Sequence, residues 1–256
     1  MARYPGSMLH LDDDGEGPPL VLLHGWPDSP RVWDGLGPRL VDAGYRVIRV
    51  YLPGFHGSPE TQGAAFPALA DRLRDTLDAL ELERVTLIGH DWGAYLSYVF
   101  EKAYPERVDR FVTMDVGGHI TVTNPFVGFA IASYQGWNMS AWFLGHLLPG
   151  LGSGMTRFMA ARLKAPSPET VPWSANYPYF YTWKALLSSR DPLKGYKPTR
   201  PLLYFFGEGK PFHFHSQRWL TLPTRVVAVP QATHWLMLDD EDLVFQEIQA
   251  WLTAAP

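Results

Sequence analysis

LIGHDWGAYLSY, at residues 87–98, joins the end of an apolar strand to the start of an apolar-faced helix through a tight turn. Asp91 lies at the tip of this turn, and Gly89 and Gly93 flank it. Small residues are required there because the backbones of the strand and the helix nearly touch. A lone Gly-x-Asp-x-Gly is common in loops, and an aspartate that only caps the next helix is the alternative interpretation. The apolar strand and helix on either side favour a nucleophile elbow whose tip carries a carboxylate.

Short apolar runs and helical patterns alternate along the chain around this elbow. The predicted strands lie at 19–25, 45–54, 84–90, 108–118, 200–210 and 224–234, and the predicted helices lie at 66–82, 92–104 and 239–252. Alternation of this kind predicts an α/β fold with a mostly parallel central sheet and helices on both faces. We expect the active-site residues at the carboxyl ends of the strands.

The alternation stops between about residues 118 and 198, where Trp, Tyr, Phe, Pro and Gly are frequent. This segment has helical apolar patterns and no convincing strand, and we interpret it as a helical lid inserted between two strands of the sheet. The predicted core therefore comprises residues 1–117 and 199–256, and the predicted cap comprises residues 118–198. The alternative is that residues 118–198 are a helical part of the same core, and no sharp boundary separates this description from a lid.

The composition limits the class of protein. Of the 256 residues, 46% are hydrophobic and 19% are charged, which supplies a sizeable core and argues against disorder. The net charge of −4 provides no basic field for nucleic acid or for an anionic membrane. With 0 cysteines there is no disulfide framework, no thiol nucleophile and no thiolate metal site. No apolar run is long enough for a membrane span and the acidic N-terminus has no signal-peptide pattern, so we expect a cytoplasmic protein, with a homodimer left open.

An aspartate nucleophile suits a particular class of reaction. Its carboxylate, with an ordinary pKa of roughly 3.9, is ionised at pH 7 and attacks a saturated carbon without the help of a base. The product is an ester between Asp91 and the substrate, and only the attack of water on that ester needs a base. The elbow therefore predicts a small apolar substrate with an electrophilic sp³ carbon, which means a strained cyclic ether or an alkyl halide.

HGWPDSP at 24–30, taken together with GHDWGA at 89–94, resembles the epoxide hydrolase and haloalkane dehalogenase branch of the α/β-hydrolase family. The resemblance extends over essentially the whole chain, through the strand order, the lid insertion and a C-terminal histidine. It implies that Asp91 is the nucleophile and that the reaction uses no cofactor and no metal. It also implies an oxyanion hole made of the backbone amides of Trp26 and Trp92, and a cis peptide bond before Pro27.

The same resemblance implies a base and an acid. His234, in the loop after the last predicted strand, matches the histidine that activates water. The usual position of the acid that orients this histidine, three residues beyond Gly207, is occupied by Lys210, and Glu208 is out of phase. Some haloalkane dehalogenases carry the acid after the strand that follows the nucleophile, where Asp115 lies, so we expect Asp115 to orient the histidine. An aspartate that caps the first turn of the lid is the alternative at that position.

The leaving group separates the two reactions of this branch. Epoxide hydrolases hold the departing oxygen with two lid tyrosines, and we prefer Tyr134 with Tyr179, Tyr177 being the alternative to Tyr179. Dehalogenases hold the halide with the indole after the nucleophile, which Trp92 matches, and with a lid tryptophan or an asparagine after the His-Gly motif. The side chains that we expect to bind the substrate in addition are Tyr177, Trp137 and Trp183.

Position 26 is a tryptophan, and an aromatic residue there is typical of epoxide hydrolases. We therefore expect an epoxide hydrolase that forms a vicinal diol through an aspartyl ester. A haloalkane dehalogenase with the same Asp-His-Asp triad is the second interpretation. An ester hydrolase ranks below both, because an acyl group on an aspartate would be an anhydride. A non-catalytic protein that binds a small ligand on the same fold is the alternative from another class.

Overall fold

The computed structural model describes residues 8–118, 124–210, 212–216 and 224–254. A 7-stranded sheet at its centre confirms the α/β fold class expected from the sequence. The strands are β1 (His10–Asp14), β2 (Pro19–Leu23), β3 (Arg46–Tyr51), β4 (Val85–His90), β5 (Val108–Met114), β6 (Leu202–Gly207) and β7 (Thr224–Val229).

The sheet is mostly parallel. Its strand order is β1-β3-β2-β4-β5-β6-β7, and among these strands only β1 pairs antiparallel with its neighbour. β2 and β4 occupy the middle and are almost entirely buried, as near-continuous apolar strands are when both faces are covered. The chain moves in opposite directions across the sheet from β2 to β3 and from β4 to β5. Right-handed crossovers therefore place the connecting helices on opposite faces.

Helices connect these strands in the described part of the chain. They are α1 (Leu36–Asp42), α2 (Phe66–Ala79), α3 (Trp92–Ala103), α4 (Pro125–Leu147), α5 (Pro149–Arg162), α6 (Tyr177–Leu187), α7 (Leu236–Asp239) and α8 (Glu241–Thr253). α2 packs on α3, and α1 packs on α8. α8 begins where the Asp240 side chain accepts from the Leu243 amide at 3.1 Å, and the next two residues are acidic, which the helix dipole favours.

The sequence pattern predicts no strand before residue 19, and this prediction is wrong, because β1 forms an edge of the sheet against β3. Aspartates are poor strand formers, and β1 contains three of them. Asp13 accepts two hydrogen bonds from Arg46 of β3, at 2.6 and 2.9 Å, and Asp14 accepts one from Arg49 at 3.0 Å. These arginines lie 33 and 35 residues further along the chain, so only the paired sheet reveals what makes the strand acceptable.

The elbow passes through a backbone conformation that L-residues rarely adopt, since Asp91 has φ 51° and ψ −117°. A Cβ at Gly93 would collide with the carbonyl oxygen of Leu23 in β2. A Cβ at Gly89 would lie 2.6 Å from the carbonyl oxygen of Gly93. A conformation of this kind costs about 1–3 kcal/mol and persists only where the surrounding packing enforces it. The close approach of β2, β4 and α3 supplies that packing.

The described residues between β5 and β6 form helices and turns and include no strand. We call residues 124–198 the cap; residues 119–123, at the start of the predicted lid, lie outside the described residues. α4 is 23 residues long and packs against both α5 and α6. Its buried face includes Ile131, Asn138 and Gly145, at helical spacing. Within the described residues, no helix combines the length and apolar character that crossing a bilayer requires.

Gly93→Ala is expected to lower the free energy of unfolding by about 3 kcal/mol, because backbone carbonyls of β2 cannot move aside as flexible side chains do. Urea unfolding followed by circular dichroism measures the change. Gly136→Ala in α4 is the matched control, since nothing lies within 4 Å of a Cβ there, and it should leave stability unchanged or raise it by up to about 1 kcal/mol. Equal stabilities of the two variants would contradict the close approach of β2 and α3.

Candidate active site

The Asp91 carboxylate lies at the carboxyl end of β4 beside two backbone amides. The Trp26 amide donates to Oδ2 of Asp91 at 2.8 Å, and the Trp92 amide also hydrogen-bonds this carboxylate. A Cβ at position 25 would lie 2.5 Å from the same oxygen, so Gly25 permits the approach. The peptide bond between Trp26 and Pro27 is cis. The structure therefore brings both amides expected to form the oxyanion hole to the elbow carboxylate.

His234 and Asp115 meet at the same edge of the sheet. Nδ1 of His234 lies 2.5 Å from Oδ2 of Asp115, although the two residues are 119 positions apart. Asp115 follows β5, is fully buried and has a left-handed φ of 70°. The loop that carries His234 is fixed by Asp239, which accepts from the amide and the hydroxyl of Thr233, each at 2.6 Å. Glu208, the other candidate for the acid, is exposed to solvent.

Lys210 contacts the second oxygen of Asp115. Its Nζ forms an ion pair with Oδ1 of Asp115, and its side chain is only 9% exposed. Each carboxylate oxygen of Asp115 therefore has a cationic or imidazole donor of its own. The position at which an acid was expected thus holds a cation, and this cation pairs with the acid that the neighbouring strand supplies.

Asp28 and His90 complete the polar surroundings of His234. Nε2 of His90 lies 2.9 Å from the carbonyl oxygen of His234, which is 144 positions further along the chain. Oδ2 of Asp28 accepts from the indole of Trp235 at 2.9 Å and lies 3.9 Å from Nδ1 of His90. Side-chain atoms of Asp28, His90 and His234 lie within 4.8 Å of one another. Each residue also makes a hydrogen bond to a group outside this trio or to its backbone, whereas Nδ1 of His90 has no hydrogen-bond partner among the described residues.

Sequence reasoning missed Asp28, although its position offered a signal. The residue lies in HGWPDSP, one position after the proline that follows the oxyanion-hole tryptophan. A carboxylate in a loop at the carboxyl end of a central strand is a candidate for the site on position alone. Its burial, and with it its closeness to the histidines, depends on how that loop folds back over β4.

Burial shifts the protonation of these groups in opposite directions. It raises the pKa of Asp91 above its ordinary value, and His234 with the amides of Trp26 and Trp92 opposes the rise. It lowers the pKa of His234, and the negative charge of Asp91 opposes that change. It raises the pKa of Asp28 to about 7. The surroundings thus favour the neutral imidazole of His234, which is the form that accepts a proton from water.

A cavity of about 360 Å³ is bounded by the elbow, the loops at the carboxyl edge of the sheet and the cap. Its wall combines the charged groups of the site with apolar side chains. The lining residues are Trp26, Pro27, Asp91, Ala130, Ile131, Tyr134, Leu163, Tyr179, Gly209, Lys210, Phe212, Phe214, Thr233, His234 and Trp235. A concave, mostly apolar site of this size with a few convergent polar groups suits a small organic molecule.

Tyr134 of α4 and Tyr179 of α6 both line this cavity. Their rings pack edge to face, with centroids 5.7 Å apart, and the Tyr179 ring also packs against Trp26 and Trp92. Burial raises the pKa of both phenols, and the negative charge of Asp91 adds to the rise. Both side chains therefore stay protonated at neutral pH and present O–H donors to the cavity.

Three other aromatic residues expected to bind the substrate lie elsewhere. Tyr177 is 1% exposed and is not part of the cavity wall. The indole of Trp137 donates to the carbonyl oxygen of Met155 at 2.9 Å, and the side chain is 36% exposed. The indole of Trp183 donates to Gln135 at 2.9 Å and so links α6 to α4. The wall of the cavity thus does not include these three residues, and a role for them in substrate binding stays a prediction, because aromatic spacing along a helix does not reveal which face meets the cavity.

The chain belongs to the α/β-hydrolase family, in agreement with this fold and site. Residues 18–169, more than half of the chain, match the family model described as the alpha/beta hydrolase fold. The matched residues include the elbow and the strands that flank it, and a fold of this kind supports different reactions in different proteins.

Curated relatives include proteins named as epoxide hydrolases. Bifunctional epoxide hydrolase 2 of Mus musculus is 36% identical over 114 residues, which is 43% of this chain and 21% of that protein. Epoxide hydrolase 3 of Siraitia grosvenorii is 32% identical over 130 residues, which is 48% of this chain and 40% of that protein. The matched region is thus less than half of the length of each relative.

Solved structures share the fold over nearly the whole chain. A thermophilic esterase from Thermogutta terrifontis superposes with a TM-score of 0.75 at 20% identity, covering 95% of this chain and 92% of that one. Epoxide Hydrolase A from Mycobacterium thermoresistibile gives a TM-score of 0.70 at 22% identity, covering 94% of this chain and 93% of that one. Identities this low show the common fold alone.

His24, beside the oxyanion loop, makes stability depend on pH. Its Nε2 lies 3.2 Å from the Leu52 amide and accepts a hydrogen bond from it, which requires the neutral ring. Burial lowers the pKa of His24 to about 4. In the unfolded chain the pKa of a histidine is about 6.5. As the pH falls below that value, the unfolded chain takes up a proton that the folded chain does not, so folding becomes less favourable until about pH 4.

We expect His24 to reduce the free energy of unfolding by about 3 kcal/mol between pH 6.5 and 4, since each unit of pKa shift corresponds to about 1.4 kcal/mol. Urea titrations across this range measure the loss, and His24→Gln should flatten the dependence. His10→Gln, on the exposed edge strand, is the control and should leave the slope unchanged. An NMR titration in which the His24 ring protonates above pH 6 would contradict the expectation.

Proposed function

We propose that the protein is a hydrolase of the epoxide hydrolase kind, which opens epoxides to vicinal diols through an ester on Asp91. The observation that carries the proposal is the presence of two cap phenols, Tyr134 and Tyr179, in the wall of the cavity that contains the elbow carboxylate. Ring opening produces an alkoxide, and an O–H donor aimed at the departing oxygen stabilises it. The names of the curated relatives support the same class of reaction.

In the first step, one oxygen of Asp91 attacks a carbon of the epoxide ring while the bond from that carbon to the ring oxygen breaks. The Trp26 amide holds Oδ2 at 2.8 Å, which leaves Oδ1 for the attack. Tyr134 and Tyr179 hydrogen-bond the departing oxygen, and one of them transfers its proton to it. The product is a hydroxy-ester on Asp91 and a tyrosinate.

In the second step, His234 takes a proton from a water molecule and the resulting hydroxide attacks the carbonyl carbon of the ester. The charge that develops on the former carboxylate oxygen is held by the amides of Trp26 and Trp92. Asp115 stabilises the imidazolium that forms. The bond to the substrate then breaks, and the two protons of the water end on the new hydroxyl group and on the tyrosinate. The net reaction adds one water to one epoxide and restores the enzyme.

A haloalkane dehalogenase is the second candidate. Trp26 lines the cavity, and its buried indole N–H has no hydrogen-bond partner among the described residues. A departing halide accepts hydrogen bonds from donors of this kind. We rank the epoxide reaction first because a halide needs no proton, whereas the two phenols supply one to an alkoxide.

A single turnover in H₂¹⁸O tests the ester mechanism. With enzyme in excess over styrene oxide, we expect ¹⁸O in the peptide that contains Asp91 and unlabelled oxygen in the first diol, because water attacks the ester carbonyl and not the substrate. Mass spectrometry of the digest and of the diol measures both. Asp91→Ala should form no diol, and His234→Gln should accumulate the ester. Label in the diol with none in the peptide would exclude the mechanism.

A paired assay separates the reaction classes. One arm supplies aromatic and aliphatic epoxides and detects diol; the other supplies bromoalkanes and detects bromide, with Asp91→Ala as the control in both. Diol without bromide supports the epoxide proposal, and bromide without diol replaces it by the dehalogenase. Thermal stabilisation by these ligands without turnover in either arm would indicate a binding protein.

Tyr134→Phe and Tyr179→Phe are each expected to lower kcat for epoxides about 10²-fold, by analogy with the loss of one oxyanion donor, and the double variant should lose more. Steady-state diol formation measures the loss. Tyr181→Phe, on the same helix as Tyr179 but outside the cavity wall, is the matched control and should retain activity. Full activity of the double variant would remove the phenols from the mechanism.

A further inference from the structure

Lys210 is a buried cation in the wall of the catalytic cavity, and the steps above do not use it. It lies in the loop after β6, where the resemblance to the family leads one to expect an acid. Its Nζ contacts Oδ1 of Asp115 and lies 5.0 Å from the centre of the Phe214 ring. Its cavity neighbours include Asp91 and His234. A lysine with so little exposure needs a partner, and Asp115 is that partner.

We propose that Lys210 is a positioning residue of this site: by binding the second oxygen of Asp115, it holds that carboxylate toward His234 and balances the negative charge of Asp115. The proposal concerns the second step of the proposed function and rests on it. The ion pair of Lys210 with Asp115 would also explain how an acid that follows β5 orients the histidine in the loop after β7, although the loop after the intervening strand β6 carries a lysine where an acid was expected.

Asp115 is completely buried, and both of its carboxylate oxygens need a hydrogen-bond donor. His234 hydrogen-bonds one of them at 2.5 Å. Without a donor on the other oxygen, the carboxylate would bury an unpaired charge, which is among the most costly defects in a protein. The ammonium group supplies that donor. Loss of Lys210 therefore frees Asp115 to rotate away from the imidazole or to take up a proton.

The protonation of the His234 imidazole depends on the charges around it. The groups that face His234 are Asp115 from the end of β5, Asp91 from the elbow, Asp28 from the loop after β2, His90 from the end of β4, and Lys210 from the loop after β6. The positive charge of Lys210 disfavours the imidazolium and lowers the pKa of His234, in the same direction as burial. The neutral base therefore persists to lower pH.

The charge on Lys210 depends on the same surroundings. Burial lowers the pKa of Lys210 to about 7, and the negative charge of Asp91 opposes that change. Lys210 therefore acts against a proton on His234 mainly below about pH 7, where its amine is charged.

The test compares the protein with Lys210→Met and Lys210→Arg variants, and with Lys184→Met, an exposed cap lysine, as the control. The first readout is the NMR titration of the His234 imidazole without substrate. The second is the pH dependence of ester decay at Asp91 in single turnovers. We expect Lys210→Met to move the His234 titration and the acid limb of ester decay to higher pH, and to slow decay at least 10-fold below pH 7. Lys210→Arg should restore both, because it keeps the charge.

The proposal would be overturned if Lys210→Met left both the His234 titration and the acid limb of the pH profile of ester decay unshifted. It would also be overturned if Lys210→Arg shifted them as much as Lys210→Met does. Slower ester decay in Lys210→Met with an unchanged acid limb would indicate a merely structural role of Lys210 and would also overturn the proposal. If Lys210→Met does not fold by circular dichroism, Lys210→Gln replaces it as the neutral variant. Absence of any ester in the unmodified protein would count against the proposed function, while the His234 titration would still decide the role of Lys210.

Discussion

The left-handed backbone at Asp91 is the constraint on which the rest of the site depends. This conformation exists because three glycines allow close approaches. Gly93 lies against β2, Gly89 lies against α3, and Gly25 lies against the Asp91 carboxylate. This conformation lifts the side chain out of β4 and places it among backbone amides. The position of the Asp91 carboxylate and its contact with the backbone amides are therefore two results of a single packing arrangement.

Electrostatic balance is the second organising feature. Asp91, Asp115 and Asp28 are three carboxylates in one buried region, which would repel one another if all were charged and unpartnered. Backbone amides hydrogen-bond Asp91, and the imidazole of His234 and the ammonium of Lys210 pair with Asp115. Burial raises the pKa of Asp28 to about 7. The region thereby limits its net negative charge.

Several features were accessible from sequence because they depend on short-range patterns. The elbow, the strand that precedes it and the helix that follows it lie within about a dozen residues, and the strand alternation follows from apolar runs alone. The pairing of His234 with Asp115 was expected from the resemblance to haloalkane dehalogenases, some of which carry the acid after the strand that follows the nucleophile. The edge strand β1 was missed, since its aspartates are acceptable only opposite Arg46 and Arg49.

The sequence by itself determined the class of the fold and the carboxylate at the elbow, because motif spacing and hydrophobic periodicity are local properties. Only the tertiary structure decided which cap aromatics face the cavity, that Asp28 joins the histidines, and that Lys210 pairs with Asp115. Those outcomes depend on helix rotation and on contacts between residues far apart in the sequence, 95 positions for Lys210 and Asp115, which no local pattern records.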